Sequence, residues 1–175
     1  MIEIFDEMIP LSVRNSIYKF IINSSYRIEG WTDTSDLELK NHHHLHSRWG
    51  LEDIQNSQIV PYVENVLQLS SFKDYTMKDF LQCAVNLVKP GDHYFTHSHD
   101  LGVISIIYYA NLQWQHNWAG ETIFYKENMT DIELAASYVP GRFIIFDKEP
   151  HTIRPQSSIA PAFRFTLAIF FQKKK

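Results

Sequence analysis

A small set of residues in the second half of the chain has the types and spacing to do chemistry together. It comprises the run His97-Ser98-His99-Asp100, then His151 just past Pro150, then Arg164-Phe165-Thr166 near the C-terminus. Two imidazoles and a carboxylate on one side of a metal leave coordination positions open on a ferrous ion. That suits binding an oxidant and a chelating co-substrate at once. An arginine and a hydroxyl one strand away could hold the far carboxylate of the chelator through charge-assisted hydrogen bonds.

His97 and His99 stand two apart in a stretch that reads as extended, so both rings point to one face. Asp100 then points the other way unless a bulge or loop re-aims it. His151 follows a separate predicted strand, so two ligands would come from one stretch and the third from a distant one. The chain has nine histidines, and a single histidine more often packs or is solvated than binds metal; the argument rests on the trio. In the run from Arg164 to Phe171, alternation places Arg164, Thr166, Ala168 and Phe170 on one face, opposite Phe165, Leu167, Ile169 and Phe171. A guanidinium in such a strand is costly unless paired. A ligand carboxylate would satisfy it, and so would a salt bridge within the protein.

The elements that must position these residues fall into two halves. In the first, Val13, Ile17, Phe20 and Ile21 recur at helical spacing after Pro10, with Ser12 as a candidate cap. Residues 25–49 read as polar and irregular, with Gly30 and the cluster His42, His43, His44 and His46. A second amphipathic segment runs from Leu51 to Leu69, with Ile59, Val63, Val66 and Leu67 as its core face and Pro61 in a first turn. From Phe80 onward the pattern changes to short β runs between turn residues: Leu81–Val88, Val103–Ala110, Glu121–Tyr125, Arg142–Asp147 and Phe163–Phe171. Helices followed by several short strands predict an α+β, mainly β fold, a barrel or jelly roll with N-terminal helices packed outside. The expected organisation is one domain over 1–175, with 1–79 as helical and loop support and 80–172 as the jelly-roll core.

Composition bounds the function. Hydrophobic residues make up 45% and aromatics 14%, which excludes a disordered chain and supports a real core. A formal charge of -4 gives no global basic field for nucleic acid or an anionic membrane. Cys83 is the one cysteine, so no internal disulfide forms and a reducing, cytoplasmic setting is the expectation. No signal peptide or spanning segment is evident, and no membrane partner is expected. Lys173-Lys174-Lys175 reads as a solvated tail, Cys83 as core, and His93 and His116 as solvated turn residues. Arg142 reads as a structural pairing residue at a strand start. The histidine cluster has metal-like composition, but in a polar loop it reads as exposed or as the rim of a cleft.

Taken as a set, His97, His151 and Arg164-Phe-Thr166 resemble the iron(II)/2-oxoglutarate-dependent dioxygenases, in particular their prolyl 4-hydroxylase-like branch. Supporting words are Lys89-Pro90-Gly91-Asp-His-Tyr94-Phe-Thr-His97, Tyr108-Tyr-Ala-Asn111, Trp114, Trp118-Ala-Gly120-Glu121-Thr122-Ile-Phe124 and Pro140-Gly141-Arg142-Phe-Ile-Ile-Phe146. The resemblance covers roughly residues 80–172 and implies a double-stranded β-helix, Fe(II), 2-oxoglutarate as electron source and ascorbate as an optional reductant. Carried over by position, His97 and His151 would ligate iron, and Arg164, Thr166 and Tyr94 would meet 2-oxoglutarate. Asn111 and Trp118 would line the substrate or order the following turn. The family pattern is His-x-Asp/Glu, whereas here position 99 is histidine and the carboxylate comes one place later. Asp100 through a shifted backbone and His99 in an all-histidine site are therefore both candidates for the second ligand. Strand geometry favours His99, but family habit and a hard ferrous ion favour Asp100, which is taken as the second ligand with His99 as its alternative.

The implied activity is hydroxylation of an amino-acid side chain, first of all a prolyl residue in a peptide or protein. A free amino acid or other small molecule stands close behind. The alternatives are a non-catalytic jelly roll that binds metal or a small acid, and an all-histidine oxygenase that uses no 2-oxoglutarate.

Overall fold

The last strand, β10 (Arg164–Gln172), is buried on both faces and organises the molecule. Its Phe165, Leu167, Ile169 and Phe171 enter an apolar core with the helices, while Arg164, Thr166, Ala168 and Phe170 line a cavity on the opposite face. The computed structural model describes residues 1–29, 44–92 and 94–173. Within these the other elements are β1 (Ile2–Phe5), α1 (Leu11–Ile22), β2 (Arg27–Glu29), β3 (His44–Trp49), α2 (Leu51–Asn56), α3 (Val60–Leu69), β4 (Phe80–Val88), β5 (Val103–Tyr109), β6 (Thr122–Tyr125), β7 (Ile132–Ala136), β8 (Phe143–Phe146) and β9 (His151–Ile153).

Seven strands form one antiparallel sheet in the order β1-β8-β5-β10-β4-β3-β2, and three form a second in the order β7-β6-β9. From β4 onward the chain passes back and forth between the sheets, the winding of a jelly roll. Ile17, Ile21, Ile54, Val63, Val66 and Leu67 of the three helices pack on the outer face of the large sheet, against Val85, Ile106, Ile145, Leu167 and Ile169. Between the sheets lies a second, smaller core of Tyr109, Phe124, Ala136, Tyr138, Ile144 and Phe146. Alternation along β8 divides its side chains between the two cores.

The helical and strand readings hold at most positions, with instructive differences. Helix α1 is entered through Pro10, whose fixed φ of -59° suits the boundary, and Ser12 supplies no cap. The segment from Leu51 to Leu69 divides into α2 and α3, because Gln58 takes a φ of +67° that a continuing helix cannot hold; Pro61 then sits in the first turn of α3. The stretch read as irregular carries β2 and β3, and β3 pairs with β4 from Leu45↔Leu87 to Trp49↔Cys83. Strands β1, β7 and β9 also add to those expected. Among the described residues no helix is long and apolar enough to cross a membrane.

The turn that launches β8 explains one sequence word. Arg142 N donates to Val139 O at 3.0 Å across Pro140-Gly141, and Gly141 has a φ of +88°, the left-handed position of a type II turn. A Cβ there would also meet Arg14 Nε at 2.9 Å. Gly141→Ala should therefore lose about 1–2 kcal/mol of stability from the backbone alone, read as a lowered urea midpoint at unchanged slope.

Candidate functional site

Residue 151 is placed by hydrogen bonds on both sides. Phe124 of β6 pairs with His151 on one flank. On the other, His97 N donates to His151 O at 3.0 Å and His151 N donates to His97 O at 2.8 Å, an antiparallel bridge that carries the small sheet one residue further. Residues directly opposite in such a bridge project their side chains to the same face. His99, two residues on, brings its ring back to that face. The ring centroids lie 4.4 Å apart for His97 and His151, 5.3 Å for His97 and His99, and 5.1 Å for His99 and His151. One ligand nitrogen from each lies within 4.8 Å of the other two.

Tautomers and charge favour ligation. His97 Nδ1 lies 3.1 Å from Phe95 O, and His151 Nδ1 lies 2.9 Å from Glu149 O. A carbonyl only accepts, so each Nδ1 carries the proton and each Nε2 keeps its lone pair for a metal. Burial pulls all three imidazoles below their usual pKa. For His99 burial and then the neighbouring His97 bring it to about 4; for His151 burial dominates, with His97 and His99 adding to it. For His97 burial again dominates, opposed by the Phe95 carbonyl. Near neutral pH the trio therefore offers neutral donors, the form a metal binds.

Asp100 stands apart from this group. It is exposed and lines the rim of the cavity, while His99 points inward. Of the two sequence candidates for the second ligand position, the structure brings His99 to His97 and His151. The every-second-residue rule thus extends through Ser98 to position 99, and no bulge re-aims the carboxylate.

The cavity encloses about 660 Å³, and Arg164 lies in its wall. The side chain is 1% exposed. Its Nε donates to Gly120 O at 2.8 Å and its Nη2 to Thr122 Oγ1 at 3.3 Å, while the guanidinium carbon sits 5.2 and 5.0 Å from the Tyr109 and Tyr138 rings. Tyr109 Oη donates to Thr122 Oγ1 at 2.7 Å and so orders the acceptor. Gly120 permits the approach, since a Cβ there would lie 3.3 Å from Arg164 Cδ. Arg164 Nη1 remains buried with no hydrogen-bond partner, and among the described residues no carboxylate pairs with this cation. The salt-bridge explanation for the strand arginine thus has no support here. Thr166 and Tyr94 line the same cavity. Burial raises the Tyr94 phenol, partly opposed by the Arg164 charge, so it stays protonated.

The remaining sequence candidates have other places. Asn111 is buried away from the cavity lining: Phe165 N donates to its Oδ1 at 2.8 Å, Tyr138 Oη donates to the same oxygen at 2.6 Å, and its Nδ2 donates to Phe163 O at 2.8 Å. It holds the start of β10, which carries Arg164. Trp118 is half-buried, edge-on to Trp114 at 5.4 Å, and also outside the lining. His46 of the histidine cluster is buried on β3 and lines the cavity rather than standing in solvent. His42, His43 and His93 lie outside the described residues. His116 is exposed, Cys83 is buried with its thiol pushed up by desolvation, and Arg142 makes a two-point pair with Asp6 at 2.8 and 2.7 Å. Of the wall around Arg164, sequence marks Tyr109 as one of the aromatics that could exclude water, whereas it gives Thr122, Gly120 and Tyr138 no role. Asn111→Ala would orphan the buried Phe165 amide, at about 1–3 kcal/mol. Denaturant titration should show that loss, with metal affinity unchanged.

No protein-family model and no curated protein matches the sequence. Solved structures do resemble the fold. A prolyl-4-hydroxylase from Pseudomonas putida superposes with a TM-score of 0.72 at 16% identity, covering 98% of this chain and 92% of that one. A Trichoplax adhaerens prolyl hydroxylase, solved with a hypoxia inducible factor oxygen degradation domain peptide fragment, gives 0.73 at 14% identity, covering 98% and 83%. A 2OG-Fe(II) oxygenase family oxidoreductase from Burkholderia pseudomallei gives 0.67 at 12%, covering 99% and 86%. The chain has the jelly-roll fold of the 2OG-Fe(II) oxygenases, in the form found in prolyl hydroxylases.

Proposed function

We propose that this protein is an iron(II)- and 2-oxoglutarate-dependent oxygenase that hydroxylates an amino-acid side chain, with a prolyl residue in a peptide or protein as the first substrate to test. One observation carries the reading: a single cavity holds three converging neutral imidazoles and a buried guanidinium whose Nη1 has no hydrogen-bond partner among the described residues. The donor set fits a divalent iron, with lone pairs held on Nε2 of His97 and His151 by their carbonyl-bound Nδ1 atoms.

His97, His99 and His151 would hold the iron. Arg164 would pair with the distal carboxylate of 2-oxoglutarate, using a guanidinium already fixed by Gly120, Thr122 and two tyrosine faces. Thr166 and the protonated Tyr94 supply further donors. When bound, iron and 2-oxoglutarate supply oxidative decarboxylation to succinate coupled to oxidation of a substrate C–H bond. The protein's part is position and shielding. Phe146 packs 4.7 Å from the His151 ring and Phe170 lies 5.0 Å from His99, so two sides of the metal pocket are apolar. A peptide substrate is supported by the open cavity and by the peptide bound to the Trichoplax adhaerens relative in fold.

A second reading draws on His99 itself. Three neutral ligands leave a divalent metal with one more positive charge than a set including a carboxylate, and a site so altered could bind metal and 2-oxoglutarate without turnover. Succinate formation by anaerobically iron-loaded protein after oxygen admission, with ascorbate and with or without proline-rich peptides, separates the two. Peptide-stimulated succinate is expected; bound 2-oxoglutarate with no succinate for any peptide or free amino acid would favour the non-catalytic reading.

Two variants address the residues. Arg164→Ala should weaken 2-oxoglutarate binding to manganese-loaded protein by about 2–5 kcal/mol in calorimetry, the range for removing one partner of a desolvated charge pair. An unchanged isotherm would take Arg164 out of the site. His99→Ala should lose stoichiometric iron on gel filtration while Asp100→Ala keeps it; the reverse would return the ligand role to Asp100.

A further inference from the structure

Two of the three clustered imidazoles have a fixed partner for the nitrogen that turns away from the metal pocket, and the third does not. His97 and His151 use the carbonyls of Phe95 and Glu149. Among the described residues the His99 ring makes no hydrogen bond; its neighbours are other rings. A ligating histidine almost always gives its second N–H to an acceptor that fixes tautomer and ring orientation.

An orphaned hydroxyl lines the same cavity. Ser105 on β5 is 1% exposed, and its Oγ is buried with no hydrogen-bond partner. In register it sits between Phe170 of β10 and Phe146 of β8. The His99 ring centroid lies 5.0 Å from the Phe170 ring and 6.4 Å from the Phe146 ring, so the imidazole stands over the gap that the short serine leaves between two phenyl groups. Ser105, Phe146, Phe170 and His99 all line the one cavity. Neither phenyl ring offers a lone pair, and buried hydroxyls are normally satisfied. One unpaired donor and one unpaired acceptor thus share a small apolar enclosure.

We propose that Ser105 is the positioning residue of His99: when metal is bound, the Ser105 hydroxyl oxygen accepts the N–H of the His99 nitrogen that does not ligate. The assignment rests on the three-histidine metal centre proposed above, and it gives position 99 what carbonyls give positions 97 and 151. It also accounts for a polar residue at the floor of β5, where every neighbour in register is aromatic.

The test is cobalt(II) affinity by chelator competition on wild type, Ser105→Ala and Ser105→Thr, with the thermal midpoint of the metal-free proteins measured in parallel. Ser105→Ala should bind cobalt about 10- to 100-fold more weakly, while its metal-free midpoint stays equal or rises because an unpaired buried hydroxyl is gone. Ser105→Thr, which keeps the hydroxyl, should stay near wild type. Equal cobalt affinity in Ser105→Ala overturns the proposal and leaves Ser105 a packing residue. Equal loss in both variants assigns the effect to packing and overturns it too. Wild type that binds no cobalt removes the metal centre itself, a failure distinct from either.

Discussion

The molecule depends on two backbone hydrogen bonds, those that join His97 to His151. With the Thr152 hydroxyl bond to Tyr94 O they tie the segment after β4 to the small sheet, and they fix the geometric relation between His97 and His151 that a metal centre here would use. Side-chain contacts between two imidazoles could not do this, since each ring turns freely about two bonds and neutral rings attract one another weakly. A bridge pair, by contrast, sets the Cα positions and the shared face at once. Everything upstream serves it: β6 pairs with β9 to hold His151 from the other flank, and the core of Phe124, Ile144 and Phe146 backs the small sheet.

At Arg164 a different constraint operates. Burying a guanidinium costs several kcal/mol unless its donors are met, and the protein meets them only in part. Gly120, Thr122 and the two tyrosine faces hold the group in place and leave Nη1 unsatisfied. Such an arrangement destabilises the empty protein and stabilises the occupied one, because a bound carboxylate recovers the missing hydrogen bond in a site that loses no further side-chain entropy. A related logic applies to the clustered imidazoles, which burial favours in the neutral form. The cavity is thus the place where the fold spends stability gained in its helix-backed core (a trade expected of sites and rare elsewhere).

The sequence made some of this legible for a simple reason: His151 and Arg164 lie on strands, His97 in an extended bridge, and extended chain has a period of two. That period predicted the inward face of Arg164, Thr166, Ala168 and Phe170, which the cavity lining bears out, and it favoured His99 over Asp100. The period was hard to see in β3, where His46 and Arg48 line the cavity and the opposite face runs Leu45, Ser47, Trp49. One polar residue interrupts a short apolar face, and the strand is held by pairing with β4. β7 is an edge strand, exposed at Ile132 and Glu133, and β6 supplies its partner. The places of Tyr109 and Tyr138 were illegible for another reason. A tyrosine packs its ring as core, and only tertiary structure reveals that the hydroxyl partners include Thr122 for Tyr109 and Asn111 for Tyr138, behind Arg164.

The one-residue displacement of the carboxylate from position 99 to position 100 has electrostatic weight beyond ligand identity. A carboxylate in the inner position would cancel one charge of a divalent ion at contact distance, where the effective dielectric is low. At the exposed rim, Asp100 is screened by solvent and cancels little. The cavity then presents a more positive interior, with Arg164 adding to it, than a site with an inner carboxylate. A dianionic chelator is drawn more strongly into such a site. The cost falls on later chemistry, since an ion with three neutral donors is harder to oxidise than one with an anionic donor. If the proposed centre holds iron, tight co-substrate binding and slow oxidation would go together, and their ratio would measure how far a histidine at position 99 shifts such a centre from catalysis toward retention.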